Sequence, residues 1–310
     1  MLVSVDVRNI LKSYDGLAAL KETTFAVGKG ELFGFIGPDG AGKTTLFRIL
    51  TTLLLPDSGT AMVEGLEIVK DRKKIRKMIG YMPGRFSLYQ DLSVEENLRF
   101  FATIFGTTIQ ENYALVKDIY RHIEPFRKRR AGKLSGGMKQ KLALSCALIH
   151  KPEVLFLDEP TTGVDAVSRQ EFWEMLKRLQ SHGITILVST PYMDEARLCD
   201  KIALIQNGSV MKISTPEQVI NQYRLGLFSV SSTDVYRLLH DLQEIPGAHS
   251  VHAFGQTAHV AFEEGSLSEE AILNFLTIKE HQVVKIKRIN PTIEDCFMEL
   301  MSPASLNDSK

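Results

Sequence analysis

The chain has 310 residues, enough for one large or two ordinary domains with a sizeable core. Its 37 basic and 37 acidic residues cancel, so no net field draws it to nucleic acid or to an anionic membrane surface. Cys146, Cys199 and Cys296 have neither metal spacing nor a pairing pattern, and no apolar run approaches the ~18 residues of a bilayer span; a disulfide scaffold, a zinc module and an integral membrane protein are all disfavoured.

In chain order, Met1–Arg8 alternates like a strand and lacks a basic start and an apolar signal core. Residues 2–11 and 22–27 read as half-buried antiparallel strands. Tyr14, on the loop between them, can stack on an adenine ring or pack against its own hairpin. Leu32–Ile36 reads as a buried strand and Leu46–Leu50 as an apolar helix. Between them stands Gly37-Pro38-Asp39-Gly40-Ala41-Gly42-Lys43-Thr44-Thr45, which fits G-x-x-x-x-G-K-[ST], the loop that wraps a nucleotide's phosphates. Its glycines let backbone N–H groups approach phosphate oxygens, and the following helix N-terminus adds partial positive charge. Lys43 can reach the β- and γ-phosphates of ATP, and the Thr44 hydroxyl can hold Mg²⁺.

Ala61–Val63, Glu67–Val69 and Ile79–Pro83 read as further strands. The loop 84–89 is rich in large side chains, with Phe86, Leu88 and Tyr89 as candidate exposed contacts for a partner. Ser93-Val94-Glu95-Glu96 is a capping box, after which 93–130 reads as helical. The run Arg127–Arg130 is a dense basic patch and reads as a solvated loop. Leu134–Gln140 opens a helix whose body, Leu142–Ile149, must be buried; its tip, Ser135-Gly136-Gly137, is a second anion site. Val154–Leu157 reads as a buried parallel strand that delivers Asp158 and Glu159 at its carboxyl edge, where α/β sheets bind ligands. Asp158 suits the Mg²⁺ shell, and Glu159 suits a base that takes or orients the attacking water. Asp165, in the tight loop Thr161–Asp165, belongs with the nucleotide-site residues. Ile184–Val188 is another parallel strand, and 202–205 with 210–213 forms a hairpin across Asn207-Gly208.

Thr215 opens a connecting helix, residues 216–226 are a linker, and 227–303 reads as a small α+β domain. Its strands fall near 228–231, 249–254, 258–262 and 283–286, and its helices near 234–242 and 268–278. This order fits a ferredoxin-like layer, followed by a last helix, 292–301. His252, His259, Glu263 and Glu264 read as exposed polar faces of alternating strands. Residues 304–310 read as a frayed tail.

The phosphate loop, Leu134–Gln140 and Leu157–Pro160, in that order, resemble the nucleotide-binding subunit of an ABC transporter over roughly residues 1–215. Tyr192–Ala196 and Asn290–Phe297 look like the daunorubicin-resistance-type exporter branch. The resemblance implies an α/β fold: a P-loop NTPase cassette of mixed core sheet, antiparallel β subdomain and helical subdomain (about 85–150), with the small C-terminal ferredoxin-like domain. It implies an ATPase on the inner face of the cell membrane that drives a separate permease. It further implies two cassettes, as a homo- or heterodimer, closing head to tail. Ser135, Gly136 and Gly137 would then contact the partner's ATP, and Tyr14 would stack on adenine. A soluble ABC ATPase acting on ribosomes or DNA is the competing expectation; the single cassette and zero net charge speak against it.

Three positions depart from the family pattern. Gly84 stands where a glutamine normally reaches Mg²⁺ and water. Pro191 stands where a histidine normally contacts the γ-phosphate, and its side chain offers neither donor nor acceptor. Asp39 replaces an asparagine and puts a carboxylate near bound phosphates unless it points outward. Two expectations follow: hydrolysis carried by Glu159, with Arg85 or Gln90 compensating in part, or a cassette that binds ATP as a clamp beside a hydrolysing partner.

Overall fold

In the computed structural model, which describes residues 2–301, the N-terminal alternation becomes a long antiparallel hairpin of β1 (Val3–Tyr14) and β2 (Leu17–Gly28). Asp15 and Gly16 turn it with φ 49° and 82°, the positive pair whose twist suits a two-residue hairpin. Both strands run past their expected ends, so Tyr14 is the last residue of a strand rather than part of a loop. The expected frayed tail, 304–310, lies outside the described residues.

β3 (Leu32–Ile36) is buried at every residue, and α1 (Lys43–Leu50) follows the phosphate loop. β4 (Ser58–Val63) and the two-residue β5 (Leu66–Glu67) complete an antiparallel sheet in the order β2-β1-β4-β5. A short helix, α2 (Arg72–Met78), precedes β6 (Ile79–Met82) where the sequence suggested none.

The expected helical stretch 93–130 is broken. α3 (Val94–Ile104) starts at the capping box: Ser93 N–H donates to Glu96 Oε2 at 2.8 Å while Ser93 Oγ accepts from Glu96 N–H at 3.3 Å. Gly106 at φ 69° then ends it, as a left-handed residue does just past a helix C-terminus. α4 (Tyr113–Tyr120) is separate, and Pro125 sits in a single 3₁₀ turn, Glu124–Phe126.

α5 (Gly136–Leu148), β7 (Val154–Asp158), α6 (Ala166–Ser181), β8 (Thr185–Thr190), β9 (Lys201–Gln206) and β10 (Ser209–Ser214) finish this unit. The six-stranded sheet has the order β10-β9-β3-β8-β7-β6. Five strands are parallel, and only the edge strand β10 runs antiparallel to its neighbour. Phe25, Phe35, Phe47 and Phe156 link the two sheets through α1, with consecutive ring centroids 5.0, 5.6 and 5.8 Å apart and edge-on. Each such pair adds about 0.5–1.5 kcal/mol beyond burial and fixes α1, hence the phosphate loop, against β7.

The chain divides into two compact units, Met1–Pro216 and Glu217–Lys310. α7 (Pro216–Asn221) begins at the division. β11 (Gly226–Ser231), α8 (Val235–Leu242), β12 (Ala248–Phe254), β13 (Thr257–Phe262), α9 (Glu269–Ile278), β14 (Lys285–Arg288) and α10 (Ile293–Met301) follow. The antiparallel sheet order β12-β13-β11-β14 is that of a ferredoxin-like fold. The last strand lies two residues later than expected, because Val283 adopts φ 54°, a conformation hostile to a β-branched residue.

Glu263 and Glu264 are exposed, as expected. His259 is not. Its Nδ1 lies 2.7 Å from Asp295 Oδ1, and its ring stacks on Phe254 at 3.8 Å, beneath α10. His252, opposite it across the strand pair, is half-buried too. The three cysteines are buried, and burial pushes the Cys146 and Cys199 thiols well above their usual range.

Candidate nucleotide site

Four neighbouring parallel strands, β3, β8, β7 and β6, end at one edge of the sheet. Their carboxyl ends deliver Gly37, Thr190-Pro191, Asp158-Glu159 and Pro83-Gly84 to one place. Hydrophobic burial of the strands thus assembles the site: all of β3, β7 and β8 is buried, so their loops share a rim.

The phosphate loop is shaped by close approach. Gly37 N–H donates to Thr190 O at 3.3 Å, and a Cβ on Gly37 would come within 2.1 Å of Ile205 O. Gly42, with φ 102°, is the N-cap of α1, and a Cβ there would lie 2.4 Å from Ala19 O. Gly40 also has positive φ, 78°, but faces open space. Ala41 is buried, Pro38, Thr44 and Thr45 are half-buried, and Asp39 points to solvent, which removes the expected conflict between its carboxylate and an anion in the loop.

Lys43 is buried. Its ammonium donates to Gly37 O at 2.8 Å and Pro38 O at 2.9 Å, and pairs with Glu159 Oε1 at 3.3 Å. Thr44 Oγ1 donates to Asp158 Oδ1 at 3.1 Å. Glu159 has φ 48°, a left-handed conformation costing on the order of 1 kcal/mol outside glycine. Gly84 stands beside the acids: a Cβ there would lie 3.1 Å from Asp158 O and 3.7 Å from Glu159 Cβ. Tyr81, one strand over, is pushed up to about 12 by burial and by the Asp158 carboxylate.

Hard oxygen donors, one carboxylate and one hydroxyl within 3.1 Å, fit Mg²⁺. Among the described residues no cluster of three or more His, Cys, Asp or Glu could hold a metal. Two protein ligands are what this ion commonly takes when substrate phosphates and water complete its shell.

Other expected residues lie elsewhere. Tyr14, 43% exposed, ends β1 at the hairpin tip, where Lys12 Nζ sits 5.8 Å from its ring. Ser135 caps α5, its Oγ accepting from Met138 N–H at 3.4 Å. Ser135 and Gly136 are exposed, and a Cβ on Gly137 would lie 2.8 Å from Ser168 Oγ. Asp165 caps α6 by accepting from Ser168 N–H at 2.9 Å, which holds its carboxyl below the usual range. Among the described residues, no hydrogen bond or ion pair joins these to the phosphate loop. Gln90 packs against Gly132 instead of facing the acids. Of the partner-contact candidates, Leu88 is buried, Phe86 half-buried beneath Lys139, and Tyr89 exposed against Phe100.

Sequence reasoning missed Ser189. It lies beside Asp158 across the β7–β8 pair; its Oγ donates to Asp158 Oδ1 at 2.6 Å and accepts from Glu159 N–H at 3.1 Å.

The sequence pattern of the ABC transporter family matches residues 20–162. A Rhizobium etli protein described as a Nod factor export ATP-binding protein is 30% identical over 305 residues, covering 96% of this chain and 93% of that one. The chain belongs to the ABC transporter family. Another relative, a "Probable multidrug ABC transporter ATP-binding protein" of Escherichia coli, is 40% identical over 220 residues; the match takes in 69% of this chain but only 38% of the relative's length. Among solved structures, an ABC transporter subunit of Clostridium perfringens superposes with TM-score 0.64 at 28% identity, over 72% of this chain and 92% of that one. A dimeric ATP-binding cassette bound to ADP and phosphate superposes with TM-score 0.62 at 25% identity, over 68% and 98%. ABC cassettes of this kind bind ATP and ADP, and the rim at the carboxyl edge of the sheet is the candidate place for a nucleotide here. No helix among the described residues is long and apolar enough to cross a membrane.

Proposed function

We propose that this cassette binds and hydrolyses Mg·ATP as the motor of an exporter, driving a separate transmembrane permease from the inner face of the membrane. The observation that carries this is the pairing of Lys43 with Glu159, and of Thr44 with Asp158, at one sheet edge. In this reading Lys43 and the loop N–H groups hold the β- and γ-phosphates, and Thr44 and Asp158 hold Mg²⁺. When bound, Mg²⁺ supplies charge neutralisation at the phosphate oxygens. Glu159 orients water and takes its proton as ATP and water become ADP and phosphate. Ser135 and Gly136 face solvent, with Gly137 half-buried behind them, so this helix tip is free to meet the nucleotide of a second cassette, and Tyr14 is exposed enough to meet an adenine.

Export is supported by the name of the Rhizobium etli relative, a Nod factor export ATP-binding protein. A cavity of about 280 Å³ lined by Tyr81, Met82, Leu88, Phe101, Phe105 and His150 adjoins the 84–89 loop. Its apolar walls suit apolar side chains of the permease. Gly84 and Pro191 favour a second reading, in which hydrolysis is slow and a different cassette supplies most turnover.

Membrane fractionation with and without the permease tests the assignment. The cassette is expected to pellet with membranes only when the permease is co-expressed. Sedimentation with ribosomes and not with permease-bearing membranes would contradict it.

A further inference from the structure

We infer that Ser189 is a positioning residue for the acidic pair: its hydroxyl orients the Asp158 carboxylate towards Mg²⁺ and clamps the backbone of Glu159. The inference rests on the Mg·ATP assignment above and adds a residue to it.

The geometry is specific. Ser189 is fully buried at the penultimate position of β8. Its Oγ–H donates to Asp158 Oδ1 at 2.6 Å, and its lone pairs accept Glu159 N–H at 3.1 Å. That N–H also donates to Ser189 O at 3.0 Å, so one serine accepts both branches of the N–H of Glu159, whose φ is positive. A residue held at positive φ needs its surroundings to over-determine it, and Ser189 does so together with Thr162, whose N–H donates to Glu159 O at 3.2 Å, and Lys43. Thr44 donates to the same Oδ1. Two hydroxyls on one oxygen fix the carboxylate plane, as outer hydrogen bonds do for metal-ligating side chains. Gly84 has no side chain to reach these acids, and the Pro191 ring can donate nothing, so in this chain the orienting duty falls on β8.

The alternative is that Ser189 only fills space. Ser189→Ala removes the hydroxyl, and Ser189→Cys keeps the size while weakening the hydrogen bonds. For each, binding of a fluorescent ATP analogue is titrated against Mg²⁺, with a matched titration in EDTA and a thermal melt. Both variants are expected to raise the Mg²⁺ midpoint about tenfold, with affinity in EDTA unchanged. In the permease complex kcat is expected to fall with KM little altered. A Mg²⁺ midpoint equal to that of the parent in both variants would overturn the inference, as would a Cys variant that behaves like the parent while the Ala variant is merely less stable. A parent protein that binds no analogue with or without Mg²⁺ would overturn the underlying site assignment, a result read in the parent arm alone.

Discussion

Lys43 Nζ stands 3.3 Å from Glu159 Oε1, and the same ammonium is held by the carbonyls of Gly37 and Pro38. A buried cation with one anionic neighbour is a contested partner, since a γ-phosphate oxygen must compete with Glu159 for it. Lys43→Ala is therefore expected to weaken ATP at least about tenfold, the scale of a lost charge-assisted hydrogen bond. Glu159→Gln removes the competitor and is expected to bind ATP at least as tightly as the parent. Equilibrium titration with a fluorescent ATP analogue reads both; unchanged affinity in Lys43→Ala contradicts the assignment.

The two loop glycines separate a conformational cost from a steric one. Gly40 and Gly42 both have positive φ, but only at Gly42 would a Cβ meet backbone, 2.4 Å from Ala19 O. Gly40→Ala should cost about 1 kcal/mol of stability. Gly42→Ala should cost clearly more and displace the start of α1, with loss of nucleotide binding. Denaturant unfolding of the two variants gives the comparison, and equal losses would contradict it.

Of the three departures from the family pattern, those at Gly84 and Pro191 are not equally repairable. Position 84 is tight, because a Cβ there would press on Asp158 O at 3.1 Å. Pro191 opens the loop after β8, whose geometry is set by Thr190, which donates to Glu195 Oε2 at 2.6 Å and accepts from Tyr192 N–H at 3.0 Å. Pro191→His is expected to raise ATP turnover several-fold, on the scale of one added charge-directed hydrogen bond, whereas Gly84→Gln is expected to gain less. Single-turnover rates check this, and the reverse ranking would contradict it.

In the second unit, burial pushes the Asp295 carboxyl up, but hydrogen bonds from His259 and from the Thr292 hydroxyl and N–H outweigh it and hold it below 3.8. A carboxyl depressed in the folded state stabilises above its unfolded value and loses that contribution as pH falls through the folded one. The stabilisation should be complete above about pH 4 and fade below it. Asp295→Asn is expected to be less stable than the parent near neutrality, with the gap closing under acid. Unfolding at a series of pH values measures this, and a gap independent of pH would contradict it.

What was legible in the sequence was what sits on consecutive residues. The phosphate loop between Ile36 and Leu46, and the acids ending Val154–Asp158, announce themselves by spacing. α2 escaped because Ile75 is its only buried residue amid Arg72, Lys73, Lys74, Arg76 and Lys77, so no apolar stripe marks it. The stretch 93–130 is broken at Gly106, whose positive φ caps α3, and again after α4 at the turn holding Pro125. Ser189 needed the strand order: only the parallel β7–β8 pairing sets it beside Asp158, and a serine at a strand end signals nothing alone. His259 read as exposed because alternation shows which residues share a face, and α10 covers that face from more than thirty positions away.

The central claim is that Glu159 drives hydrolysis in this cassette. ATP turnover of the parent and of Glu159→Gln, each purified with its permease, tests it most directly. Removal of a catalytic acid–base group typically costs 10²–10⁴-fold, so the account predicts a parent rate at least about a hundred times that of the variant. Equal rates near the background would contradict it and leave the cassette a clamp whose partner does the chemistry.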